Sequence, residues 1–177
     1  MTLAFSTHWS KKMRSLAGLK TCFVDKITNC MWKYQSKEMN DFALKSDYRE
    51  DIYTYTTPAE IEEISPKLHT IRQDSKNRWQ PGKLIHPVIN NRTKDRFQFA
   101  PTIKCISVQQ IEIVYSDEEL CEQHCIEPVI KIDGRVLGIE ECDQLAINDG
   151  FDDIQKFLWW FNEDFKGKII HWTDFKY

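Results

Sequence analysis

Glycine and proline are scarce, with six of each in 177 residues. That excludes collagen-like and low-complexity classes, whose composition cannot or need not build a packed core. No segment repeats, which removes solenoids and propellers. No apolar run is long enough to span a bilayer. The opening Met1-Thr2-Leu3-Ala4-Phe5-Ser6-Thr7 has no basic region ahead of an apolar stretch. The expectation is a cytoplasmic protein with no membrane partner. Cysteine is present, but not as a secreted scaffold. Cys22, Cys30, Cys105 and Cys142 stand singly in apolar surroundings and read as reduced core residues. Only Cys121-Glu122-Gln123-His124-Cys125 clusters. It has no second Cys/His pair nearby to close a tetrahedron, so no metal and no cofactor are expected.

What is present points to a globular chain. The length suits one domain, and an apolar fraction of 41% can fill its core. The formal charge of -3 hides an uneven distribution. Across 67–104, Lys67, Arg72, Lys76, Arg78, Lys83, Arg92, Lys94, Arg96 and Lys104 face only Asp74 and Asp95. Across 112–153 acidic residues dominate. One basic segment in a mildly acidic chain predicts a local anionic ligand, not a surface coated in nucleic acid.

Spacing gives the elements. Leu3-Ala4-Phe5-Ser6 reads as a first strand. Trp9, Met13 and Leu16 share a helical face that Gly18 terminates. Phe23, Ile27, Cys30, Met31 and Tyr34 recur at helical spacing. Residues 41–55 are polar and tyrosine-rich without a clear period. Thr57, Pro58 and Glu60 have the pattern of a helix start. Strands are predicted over 83–89, where Pro87 implies an edge or a bulge, and over 96–100. The longest covers 103–115, with a change of phase near Gln109-Gln110 that implies a bulge or bend. A strand at 128–132 turns at Asp133-Gly134 into a short return. Helices follow over 139–147 and 152–165, and a last strand over 167–172. The fold class is α+β: a strongly bent antiparallel sheet or small β-barrel, with N-terminal helices and a helical pair before the final strand.

The densest polar cluster is Lys67-Leu68-His69-Thr70-Ile71-Arg72, followed by Asp74, Arg78-Trp79 and the Pro81-Gly82 turn. Such a cluster can bind an anion, polarise a carbonyl or supply a nucleophile. Lys67 and Thr70, three apart, fit on one side of a single turn. Arg72, Arg78, Arg92 and Arg96 are candidates for phosphate contacts, and Trp79, Phe97 and Phe99 for stacking on bases. His69 and His171 are candidates to line one cleft with Lys67.

Residues 65–175 resemble the ASCH (activating-signal-cointegrator homology) family, a branch of the PUA-like β-barrels, and are similar to ASCH-like proteins of phages and bacteria. Lys67, Thr70 and Arg72 fit the family's Gly-x-Lys-x-x-Thr-x-Arg motif, with Ser65 in place of the leading glycine. Trp79-Gln80-Pro81-Gly82 is similar to its turn. Leu145 to Phe151 resembles its Ala-x-x-Glu-Gly-Phe segment, with Asp149 in place of the glutamate, and 167–172 resembles its closing strand.

The resemblance implies a single PUA-like domain over 1–177, with 9–65 a helical insertion after the first strand. It implies a cleft beside the barrel that binds RNA or a modified nucleoside. An alternative it also implies is an amidohydrolase releasing an acyl group from a nucleoside such as acetylcytidine. Lys67 would then act as base, Thr70 as nucleophile or water-positioning group, and Asp149 as the carboxylate. A third reading is a phage or bacterial factor that binds a protein partner.

Overall fold

A computed structural model describes residues 1–47, 49–55, 60, 63–115 and 128–177. The helix start at Thr57-Pro58 and the Cys121, His124 and Cys125 cluster lie outside the described residues. In chain order the strands are β1 (Thr2–Ala4), β2 (His69–Arg72), β3 (Leu84–Ile89), β4 (Phe97–Gln98), β5 (Ile103–Lys104), β6 (Ser107–Val114), β7 (Val129–Ile132), β8 (Arg135–Val136) and β9 (Phe165–His171). The described α-helices are α1 (Phe23–Tyr34), α2 (Ser36–Ala43), α3 (Ile139–Asn148) and α4 (Ile154–Trp160). The architecture is α+β. The described strands form two sheets, so the closed-barrel version of the expectation does not hold.

The chain divides into two compact units, Met1–Leu68 with Lys83–Lys104, and His69–Gly82 with Cys105–Tyr177. In the first unit β3 pairs in parallel with β1 and antiparallel with both β4 and β5. Pro87 therefore lies in an inner strand, where an edge or bulge was expected. β4 pairs with Val88 and Ile89, and β5 with Leu84 and Ile85. Pro87 falls between those two ladders, so its missing N–H breaks no hydrogen bond. The helix expected over 9–17 is a kinked 3-10 segment, Lys11–Leu16, in which Arg14 adopts φ 52°. The predicted 23–34 helix is α1, with Phe23, Ile27, Cys30 and Met31 buried.

The second unit is a five-stranded sheet in the order β2-β9-β6-β7-β8. β6 runs unbroken from Ser107 to Val114 against β9. The bulge or bend expected at Gln109-Gln110 is absent, and the interruption falls earlier, between β5 and β6. The apparent change of phase has a physical cause. Gln109 occupies an inward position, buried, with its amide bonded to Asp133 Oδ2 at 3.0 Å and to the Tyr177 carbonyl at 3.2 Å. A satisfied buried glutamine looks like a solvent residue in a hydropathy pattern. The β7–β8 hairpin turns on Asp133 at φ 49° and Gly134 at φ 85°, the two positive values that a tight hairpin needs.

α4 stops at Trp160, short of the predicted end, and β9 begins at Phe165. Asp153 caps α4 by accepting from the Lys156 N–H at 2.8 Å. Gly167 is where β9 comes closest to its neighbours. A Cβ there would lie 2.6 Å from the Arg72 carbonyl and 2.6 Å from the Phe165 ring.

Candidate functional site

The polar motif lands on β2, an edge strand, and the strand geometry decides what its residues can do together. Successive side chains of a strand point to opposite faces. Thr70 and Arg72 therefore leave one face, and His69 and Ile71 the other. Thr70 lies in the extended strand His69–Arg72 and not in the turn expected to carry it with Lys67, which precedes the strand. Lys67 belongs to the first unit and Thr70 and Asp149 to the second. Lys67 is 2% exposed, with its ammonium 4.9 Å from the centre of the Phe23 ring. Thr70 is 1% exposed, and its hydroxyl has no partner among the described residues.

The other face of β2 carries a buried polar cluster, in which the Ser107 hydroxyl and both His171 ring nitrogens have no hydrogen-bond partner among the described residues. Ser107, His171 and His69 lie side by side across β6, β9 and β2. The two imidazoles meet edge to face with centroids 5.2 Å apart, and both are fully buried. His69 Nε2 is 2.7 Å from the Tyr177 hydroxyl, which also accepts from Asn148 Nδ2 at 3.0 Å. Asp149 follows α3; its Oδ1 accepts from the Ile71 N–H at 3.2 Å, on the open edge of β2, and sits 3.6 Å from His69 Nδ1. Burial lowers the His171 pKa to about 3, helped by the charges of His69 and Lys176, so that imidazole is neutral at pH 7. Burial likewise pushes the Tyr177 phenol up; the Asn148 hydrogen bond opposes this and the Asp149 charge adds to it. Half-buried Arg72 donates to the Ile71 carbonyl at 3.0 Å. Burial lowers its pKa, while Asp149 raises it. The network ties Tyr177, α3 and the edge of β2 together, and its two imidazoles present no surface to a ligand.

The 74–80 loop is organised around Asp74. Its carboxylate accepts from the backbone N–H groups of Arg78 at 2.9 Å and Trp79 at 2.8 Å, and lies 3.3 Å from the buried Lys168 ammonium. Lys168 also donates to the Trp79 carbonyl at 3.0 Å and to Asn77 Oδ1. Trp79 is 4% exposed, so its indole is core and offers no face for stacking. The Arg78 side chain is exposed.

The first unit holds the open aromatic surface. A cavity of about 190 Å3 is lined by residues including Thr28, Trp32, Phe42, Tyr53, Tyr55 and Phe97. Phe99 also lines it, is 1% exposed and packs edge to face on Phe5, while Phe97 is half-buried. Of the two predicted stacking phenylalanines, Phe97 thus keeps surface for a ligand and Phe99 serves the core. Arg49 lies over the Phe97 ring, 5.4 Å from its centre. Thr28 brings a polar handle: its residue is 7% exposed, and its hydroxyl has no partner among the described residues. The exposed stretch with Arg92, Lys94 and Arg96 leads directly into Phe97.

Trp32, Phe42, Tyr53 and Tyr55 were not singled out by the sequence. The only signal for the tyrosines was their density in a stretch without a period. Among the described residues no group of three or more His, Cys, Asp or Glu could hold a metal ion, and no helix is long and apolar enough to cross a membrane. No family model, curated protein or solved structure matches the chain.

Proposed function

We propose that the protein binds single-stranded RNA or a modified nucleoside by taking a base into the aromatic cavity of the first unit. The observation that carries this is the half-buried Phe97 ring, which faces a cavity walled by Trp32, Phe42, Tyr53 and Tyr55. At about 190 Å3 the cavity lies below the roughly 300–1,000 Å3 of drug-sized pockets. It therefore suits one ring system and not a folded polymer. Aromatic faces accept any base, and the Thr28 hydroxyl can donate to or accept from a base edge. Arg92, Lys94 and Arg96, just ahead of Phe97, supply the positive charge that a phosphate backbone requires.

The resemblance to the ASCH family, and with it a PUA-like origin for the sheets, rests on the spacing of Lys67, Thr70 and Arg72 in order with the Pro81-Gly82 turn, the Leu145 to Phe151 segment and the closing strand at 167–172. It agrees with nucleoside binding but predicts a different cleft. The hydrolytic alternative needs Lys67 and Thr70 to meet a substrate, and both are buried. A protein-partner reading is favoured by one observation, the exposure of Trp32, Tyr34 and Leu44 along α1 and just beyond α2. The test is fluorescence anisotropy of a labelled eight-nucleotide RNA at low and high salt, with the wild type and Phe97→Ala. Salt-sensitive binding that weakens in the variant supports base binding in this cavity. No binding at low salt moves the weight to a protein partner.

A further inference from the structure

We propose that a second, polar cavity of the first unit receives the ribose of the same ligand, and that Asp25 reads its 2′-hydroxyl, so that the protein binds RNA in preference to DNA. The inference rests on the base site proposed above.

This cavity, of about 320 Å3, opens at the start of α1 and is bordered by Lys20, Cys22, Asp25, Arg49, Asp51 and Thr54, among others. Asp25 is the residue that points to a ligand. It is 3% exposed. Its Oδ1 accepts from the backbone N–H groups of Thr54 at 2.8 Å and Tyr55 at 3.1 Å. Asp25 borders the cavity, and its Oδ2 is buried with no partner among the described residues. A carboxylate oxygen in that position needs a hydrogen-bond donor.

The neighbours say which kind of donor. Cys22 enters α1 at φ 57° and makes no side-chain cap, so the helix start alone would favour an anion. Two carboxylates, Asp25 and Asp51, oppose one. The cations beside them are already committed. Lys20 donates to the Tyr53 carbonyl at 2.6 Å, and Arg49 donates to both oxygens of Asp51 at 3.1 and 2.5 Å. A phosphate is therefore unfavourable, and the first helix N–H, that of Phe23, already donates to Thr21 Oγ1 at 3.3 Å; a neutral hydroxyl satisfies the orphan acceptor.

The two cavities share a wall. Arg49 borders both; Thr54 faces this one, while its neighbours Tyr53 and Tyr55 face the aromatic one. Adjacent residues are about 3.8 Å apart, so the two cavities are neighbours, which is the ground for assigning a sugar in one and a base in the other to one ligand. The 2′-hydroxyl is the group by which a protein tells RNA from DNA, and it can donate to Asp25.

The experiment compares one labelled eight-nucleotide sequence made as RNA, as DNA and as 2′-fluoro RNA, the last keeping the RNA sugar pucker without a donor. The wild type should bind RNA about tenfold to a hundredfold more tightly than either analogue, the worth of one hydrogen bond to a charged acceptor. Asp25→Asn, checked for a native circular dichroism spectrum, should bind the three alike. Equal wild-type affinity for all three, or 2′-fluoro RNA bound as tightly as RNA, overturns the inference and leaves base binding standing. A preference that survives in a folded Asp25→Asn also overturns it. Failure of all three to bind overturns both readings. The wild-type comparison decides the matter even where the variant does not fold.

Discussion

Replacing Lys168 by methionine removes the ammonium and keeps an unbranched apolar stem. The structure says what is left behind. The Asp74 side chain is 1% exposed and that of Lys168 7%. Without the ammonium, the Asp74 carboxylate keeps two backbone N–H bonds and loses its close cation, while the Trp79 carbonyl and Asn77 Oδ1 lose a donor. Breaking a buried pair from one side costs about 3–5 kcal/mol. For a chain of this length that is a fall in melting temperature of roughly 6–20 °C. The Asp74 carboxyl itself responds to pH. Burial would raise its pKa, but the Trp79 and Arg78 N–H groups and Lys168 outweigh this and hold it below the usual carboxylate range. Its contribution is present above the unfolded aspartate pKa and is lost as pH falls through the lower, folded value. Urea titrations of wild type, Lys168→Met, Asp74→Asn and the double variant, followed by tryptophan fluorescence, measure the coupling. The double variant should lose less than the sum of the single losses. A Lys168→Met loss within about 0.5 kcal/mol, the range of an exposed pair, would refute the claim that this pair fixes the loop.

Three further outcomes follow from the same geometry. His171 has a folded pKa of about 3 against an ordinary value of 6.5. Stability should therefore fall by up to about 1.4 kcal/mol per pH unit as pH drops below 6.5, and the slope should flatten in His171→Phe, as read from urea midpoints between pH 7 and 4. Gly167→Ala would force a Cβ to within 2.6 Å of the Arg72 carbonyl; a loss of about 1–3 kcal/mol is expected by thermal melting, the cost of overpacking. Tyr177→Phe removes the hydroxyl shared by His69 and Asn148, and should cost about 1–3 kcal/mol because buried donors lose their acceptor.

Much of the fold was legible because local signals agreed with long-range ones. The α1 stripe of Phe23, Ile27, Cys30 and Met31 is buried as spaced, and Asp133-Gly134 makes the tight turn that its residues demand. The misses have physical causes. Gln109 hid the phase of β6 by being polar, inward and fully bonded. α2 went unread because it buries only Met39, which leaves no stripe to detect. Pro87 reads as an edge residue until the three partners of β3 are known. In the motif, Thr70 and His69 are sequence neighbours on opposite faces of a strand. The partner that holds His69, Tyr177, lies 108 residues away, a separation that spacing cannot convey. The basic residues Arg92 and Arg96 were visible; the aromatic cavity beside Phe97 was not, because it is assembled from three separate stretches of the first unit.

The central claim is that Phe97 and its cavity hold a base. It is tested most directly by RNA anisotropy titrations of wild type, Phe97→Ala and Thr28→Val at one fixed salt concentration. The account predicts that Phe97→Ala weakens binding about 5- to 150-fold, the worth of one stacked base, and that Thr28→Val weakens it by a smaller factor. Binding that is unchanged in both variants, or absent in the wild type, would contradict it.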